Sequence, residues 1–252
     1  MSETARRTMF FVGVAALAVF MFWGFAGLPF SGEYPGPYGD VMNAVANDER
    51  HVTDVVTVIN FDYRGFDTLG EEFILFASVI GAAVLLRKTG EEGEADEEEK
   101  ETRKVPATSD AVRFAGLSLI GLSVTFGIYV VTHGQLTPGG GFQGGVVLAT
   151  APLLVYLAGD PKMFQRIAPH RLVELGESAG ALGYIAIGLL GLFMGVEFLR
   201  NVLPLGPKTT VLSGGTVPLI SLTTGLEVSG GFILLLTVFL EEALERRLKR
   251  RS

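Results

Sequence analysis

Charge in this chain is confined to clusters, and the stretches between them run for roughly 20 residues with almost none, the length that spans a bilayer's hydrocarbon core. A helix at the surface of a soluble domain carries a polar stripe along its whole length. Here six stretches lack one: Phe10–Gly27, Leu69–Leu86, Phe114–Thr132, Gly141–Ala158, Ser178–Leu199 and Val217–Leu240. Backbone polar groups inside lipid must be paired within their own segment, which leaves helices as the economical solution. The reading is an all-α, polytopic integral membrane protein with about six transmembrane helices. The first stretch follows Arg6 and Arg7 as in a signal peptide. It is longer than a typical h-region and has no clear small-x-small site before FWGF, so an uncleaved helix is expected.

The connecting segments set the orientation. With both termini in the cytoplasm, the inner segments hold sixteen of the twenty Lys and Arg, and only Arg50, Arg64, Arg200 and Lys208 lie outside. That bias predicts both termini in the cytoplasm and a multi-pass location in the cell membrane. Pro35 and Pro37 argue against a regular helix near SGEYPGPYG. The apolar spacing of Val41, Val45, Val52, Val55, Val56 and Ile59 predicts one amphipathic helix, lying at the interface or against a partner. EEGEADEEEKETRK, Glu91–Lys104, has no core-forming residue and reads as a charged cytoplasmic linker. It divides the chain into a two-helix part, 1–90, and a four-helix part, 105–252. The tail EEALERRLKRRS is basic and amphipathic.

Several chemistries are excluded or unsupported. With no Cys there is no disulfide, no thiolate metal site and no cysteine-held iron–sulfur cluster. Three scattered His make no convincing haem or metal cage. No catalytic residue, metal or cofactor is expected in this chain, and the redox centres of any redox system it serves belong to other chains. Nucleic acid is not an expected partner.

Ionisable groups inside a bilayer cost a few kcal/mol on insertion scales, so each needs a reason. Glu227 is the deepest, near the middle of the last run, with Thr223 and Thr224 one turn earlier and Ser229, Gly230 and Gly231 following. It reads as a proton or cation relay, or as a buried carboxylate bonded to a neighbouring helix. Glu177 opens the fifth run, where a helix dipole or an ion is an equal explanation. Glu197 lies near that run's far end, three residues before Arg200, and reads as a surface pair or a functional group. Asp67, Glu71 and Glu72 stand at the entry to the second run. Asp67 and Glu71 share a face if the helix starts early enough, and Arg64 is near enough to neutralise one of them. His133 is either structural or a proton shuttle.

GQLTPGGGFQGG, Gly134–Gly145, places six glycines in twelve residues between two apolar runs. No Lys-Ser or Lys-Thr follows, which excludes a phosphate-binding loop. Pro138 and Gly139 suit a turn. Gly140-x-x-x-Gly144 and Gly141-x-x-x-Gly145 are overlapping small-residue motifs for close helix approach, with Phe142 and Gln143 between them.

THGQLTPGGGFQGGVVLAT, with ESAGALGYIAIGLLGL and SGGTVPLISLTTGLEV, resembles the MnhB/MrpB family, a subunit of the multisubunit Mrp-type sodium/proton antiporters. The resemblance covers about 105–252. VVTVINFDYRGFDTLGEEFILFASVIGAAVLLR is similar to the C-terminal segment of the large MrpA subunit, which also occurs as a separate MbhE-like subunit of membrane-bound hydrogenases. The resemblance implies two normally adjacent subunits fused at the charged linker, working among the other subunits of a hetero-oligomeric Mrp or complex-I-like membrane complex that moves Na+ and H+. It lends weight to Glu71, Glu177 and Glu227. It also implies Asn where Ser221 stands, and the lack of any Lys inside a span argues against a complete pump. Three readings follow: a subunit of an Mrp-type Na+/H+ antiporter, the equivalent module of a hydrogenase or related respiratory enzyme, and a non-conducting structural subunit.

Overall fold

The computed structural model describes residues 3–27, 36–86, 108–158 and 161–249. The linker at Glu91–Lys104 and the start of the turn-rich segment at 31–35 lie outside these residues. All described regular structure is helical. The chain divides into two units, Met1–Asp40 and Val41–Ser252. The first is dominated by α1, Glu3–Ala26, whose residues from Arg7 onward are apolar enough to cross a membrane.

The second unit contains the rest. Its long apolar helices are α4 (Gly65–Leu86), α5 (Asp110–Thr132), α6 (Gly141–Leu157), α8 (His170–Phe193) and α9 (Val217–Lys249). A short helix, α7 (Pro161–Ile167), links α6 to α8. Counting α1, five helices are long and apolar enough to span, and α6 is a sixth apolar helix of 17 residues. The chain is a polytopic, all-α membrane protein.

Helix α9 is the hub, touching α4, α5, α6 and α8. Half of its span is buried, against 28% or less for α4, α5 and α8. Lipid supplies no hydrophobic drive between helices, so close backbone approach through small residues has to do the work. Gly141 and Gly145 of α6 face α9, where a side chain at Gly141 would collide with the Ser221 carbonyl and one at Gly145 would lie 2.9 Å from the Gly225 carbonyl. Gly144 points the other way, and a Cβ there would lie 2.7 Å from the Val131 amide of α5. Gly180 and Gly183 of α8 receive α9 at Glu227 and Thr223. Ser221 adds an interhelical bond, its hydroxyl donating to the Val131 carbonyl at 2.7 Å. That bond is the polar contact made at the position where the resemblance implies Asn.

Several boundaries differ from the sequence reading. Helix α4 begins at Gly65 rather than Leu69, because Gly65, Phe66 and Asp67 complete its first turn. Helix α8 runs from His170 to Phe193 rather than from Ser178 to Leu199. Pro169 starts it, and Gly195, at φ 79°, follows its end. The single amphipathic helix is in fact α2 (Pro37–Arg50), then a break, then α3 (Val55–Val58) running into a π-helical turn, Ile59–Tyr63. His51 adopts φ 55°, and Asp54 caps α3 by accepting from the Val56 amide and the Thr57 hydroxyl. Pro37 begins α2 instead of barring it, since a first-turn residue needs no amide donor.

The break at His51–Asp54 ties three loops together. The Thr53 amide donates to the Gln135 carbonyl at 3.0 Å, and Gln135 donates to the Val211 carbonyl. Arg50 pairs with Asp62 at 2.8 Å, and Asn201 donates to the same carboxylate. Lys208 bonds Asp48 and holds its carboxyl below the usual range. Burial, reinforced by the bond to Glu49, pushes the Tyr63 hydroxyl up to about 12. This polar cap closes one end of the bundle around the glycine-rich loop.

The packing predicts a contrast between two glycine substitutions. Gly141→Ala forces α6 away from α9 and lowers stability by about 1–3 kcal/mol or more, whereas Gly121→Ala, with nothing within 4 Å of the new methyl, is neutral or stabilising. Thermal unfolding of the two variants in detergent gives the comparison.

Candidate functional site

Three of the predicted carboxylates converge on α9. Glu72 of α4, Glu227 of α9 and Glu177 of α8 are all at least 96% buried. The position of Glu72 follows from helical geometry: successive side chains are 100° apart, so Glu72 faces α9 while Glu71, its neighbour, stays exposed. The Glu72 and Glu227 carboxyl groups lie within hydrogen-bonding reach of each other, with the Thr224 hydroxyl beside Glu72. Thr224 precedes Glu227 by three residues and therefore shares its face.

Glycines make room for the carboxylates. On α8 and α9 the arrangement is reciprocal: a Cβ at Gly180 would lie 2.5 Å from the Glu227 amide, and a Cβ at Gly230 would lie 2.9 Å from Glu177 Cβ. Each glutamate thus sits against the glycine three residues beyond its counterpart. Glu177 is the eighth residue of α8 and lies inside it rather than opening the span, so helix capping does not account for it. Measured along α9 at 1.5 Å per residue, Glu227 lies about 15 Å from the helix start and Glu177, level with Gly230, about 20 Å, with Glu72 beside Glu227. They form a row rather than a cage, and among the described residues no three His, Asp or Glu groups are arranged to hold a metal ion.

Both oxygens of Glu72 and Glu227 and one oxygen of Glu177 are buried without a protein donor. An ionised carboxylate only accepts, so two of them in contact need a proton between them. Tyr184 stands two turns along α8 from Glu177 and is fully buried, its hydroxyl donating to the Gly65 carbonyl at 2.8 Å. Its spacing of seven residues from Glu177 was the available signal for it in the sequence. On the other side of Glu177, Glu174 and His170 pair at 3.3 Å on the exposed start of α8.

Glu71 faces a separate feature. A cleft of about 190 Å³ is lined by Thr57, Asn60, Phe61, Thr68 and Glu71 on one side and by Gly139, Phe142 and Gln143 of the glycine-rich loop on the other. That loop turns earlier than Pro138-Gly139: the Leu136 and Thr137 amides both donate to the His133 carbonyl, closing the turn before Pro138. Pro138 is exposed, and Gly140, at φ 124°, caps the start of α6. A Cβ at Gly140 would point at the Gln143 amide oxygen, Phe61 and Thr57, all around the cleft.

The remaining candidates lie apart from the row. Asp67 is exposed and paired with Arg64. His133 stacks on Tyr129 with ring centroids 4.3 Å apart, and its Nδ1 lies 3.1 Å from the Tyr129 carbonyl, at the end of α5. Glu197 is exposed in the loop after α8, not near the end of the helix, and its carbonyl accepts from the Arg200 amide.

Known proteins share this architecture. A family model described as a domain related to the MnhB subunit of Na+/H+ antiporters matches residues 111–234. A putative antiporter subunit mnhB2 from Staphylococcus saprophyticus is 32% identical over 123 residues, 43% of this chain and 85% of that protein. A chain of the membrane-bound sulfane sulfur reductase, an archaeal respiratory membrane complex, superposes with a TM-score of 0.67 at 30% identity, covering 94% of this chain and 98% of that one. A chain of the Mrp complex from Dietzia sp. DQ12-45-1b superposes with a TM-score of 0.65 at 22% identity, covering 94% of this chain and 26% of that one.

The donor-poor contact between Glu72 and Glu227 predicts that Glu72→Gln keeps or raises stability by about 1 kcal/mol, because an amide supplies the missing donor. A lower unfolding midpoint at neutral pH would show that the contact depends on a second carboxyl.

Proposed function

The chain belongs to the family of domains related to the MnhB subunit of Na+/H+ antiporters, and on that premise we propose that it is a membrane subunit of a multisubunit Mrp-type antiporter. In this reading it contributes to cation and proton translocation and has no catalytic chemistry or cofactor of its own. The observation that carries the proposal is the buried row Glu72–Glu227–Glu177. Three carboxyl groups stepping through a bilayer at helix contacts are costly as structural devices and suited to passing protons. A group bonded to a partner that also lacks donors holds a proton that its neighbour can take up, and a row of such groups moves charge without moving a helix.

The parts before and after the charged linker are, in the same proposal, an MrpA C-terminal or MbhE-like module and an MnhB module joined in one chain. Coverage of 94% of this chain by single chains of two membrane complexes supports that reading. The superposition on the respiratory complex also favours a second setting, in which the same module serves a redox-driven enzyme whose metal centres lie in other subunits. The orientation with both termini in the cytoplasm rests on the Lys and Arg distribution.

Two measurements test the proposal. In vesicles holding the assembled complex, Glu227→Gln is expected to slow Na+-dependent proton movement by about 100-fold, the lower end of what a positioned proton carrier contributes, with subunit composition unchanged. Undiminished transport would leave the carboxylates as structural glue. The proteins that co-purify with the native chain separate the two settings: iron–sulfur or nickel subunits identify the respiratory one.

A further inference from the structure

We infer that the cleft between the first turns of α4 and the glycine-rich loop is the outer aqueous port of the carboxylate row, with Glu71 passing protons from water in the cleft to Glu72. The inference rests on the proposed ion-handling role of the row and adds where that row meets water. The cleft's volume, about 190 Å³, holds about six waters at the ~30 Å³ each occupies in the liquid. Its polar lining is uncharged except for Glu71: the Thr57 and Thr68 hydroxyls and the Asn60 and Gln143 amides. Such walls bind water without trapping an ion.

The backbone conformations around it serve the same opening. At Gly140 both a φ of 124° and the space a Cβ would take, 3.3 Å from Gln143 Oε1 and 3.7 Å from Thr57 Oγ1, keep a side chain out of the cleft. Thr68, at the inner end, is 95% buried and donates to the Asn60 carbonyl at 2.8 Å, so the cleft wall is fixed. Glu71 and Glu72 are consecutive on α4, and one faces the cleft while the other faces Glu227. No other described carboxylate lines the cleft, so Glu71 is the group from which Glu72 receives a proton arriving by this route.

The chain contains no Cys, which makes single-cysteine labelling clean. In right-side-out vesicles holding the whole complex, Gln143→Cys is treated with a membrane-impermeant cationic thiosulfonate, and modification of this chain is read by mass. Labelling from outside is expected, labelling from the cytoplasmic side is not, and transport after labelling is expected to fall about tenfold relative to the same vesicles before it. Asn60→Cys, exposed on the opposite wall, repeats the test if Gln143→Cys fails to assemble. Leu122→Cys, on the apolar outer face of α5, is expected to stay unlabelled. A cleft cysteine that does not react from outside, or reacts without loss of transport, overturns the port. Normal transport by Glu227→Gln overturns instead the role of the row, and is read without any labelling.

Discussion

The contact between the backbones of α9 and its neighbours governs the rest of this structure. Within a bilayer an apolar side chain gains nothing by leaving lipid for another helix, so the helices hold together where side chains are absent. Gly141 and Gly145 bring α6 to Ser221 and Gly225, and Gly180 brings α8 to Glu227. Removing side chains at those points lets dispersion contacts and backbone dipoles act at short range. It also leaves space into which longer side chains from the facing helix can extend.

The carboxylates occupy that space. Glu177 and Glu227 lie opposite glycines on reciprocal positions of α8 and α9, and Glu72 meets Glu227 from α4. The same lack of bulk that permits close approach thus permits acidic groups to sit deep in the bundle with few donors around them. Packing and the placement of acidic groups are not separate layers here; each glutamate is part of the interhelical surface. A substitution at Gly180 or Gly230 therefore disturbs both at once.

Much of this was legible in the residues. The charge-free runs gave the helices, the Gly141-x-x-x-Gly145 spacing marked a close approach, and the placement of Glu227 among Thr and Gly marked its depth. Pattern alone failed where a tertiary contact chose between local options. At α4, the adjacent Glu71 and Glu72 are equivalent in sequence, and only the neighbour on each side separates a cleft residue from a buried one. At α8, hydropathy favoured a later start because His170, Arg171, Glu174 and Glu177 are polar, yet their backbone continues the helix toward Pro169. At His51, the left-handed conformation that splits the amphipathic segment depends on the bond to the Gly206 carbonyl, far away in the chain.

The shortness of α6 has a consequence for the electrical properties of the bundle. Its 17 residues make a rod of about 26 Å, and its first residue meets α9 at Ser221, one turn below the α9 start. The glycine-rich loop is therefore recessed relative to α9, and the cleft carries polar groups below the level of its rim. A membrane potential drops mainly across the layer of low dielectric, so a polar recess shifts the drop onto the part of the bundle that remains dry. The row from Glu72 to Glu177 lies in that part. A full elementary charge crossing the whole dry layer couples to the potential by about 2.3 kcal/mol per 100 mV, so in the proposed proton-handling role occupancy along the row would be tied to a fraction of the voltage as well as to pH.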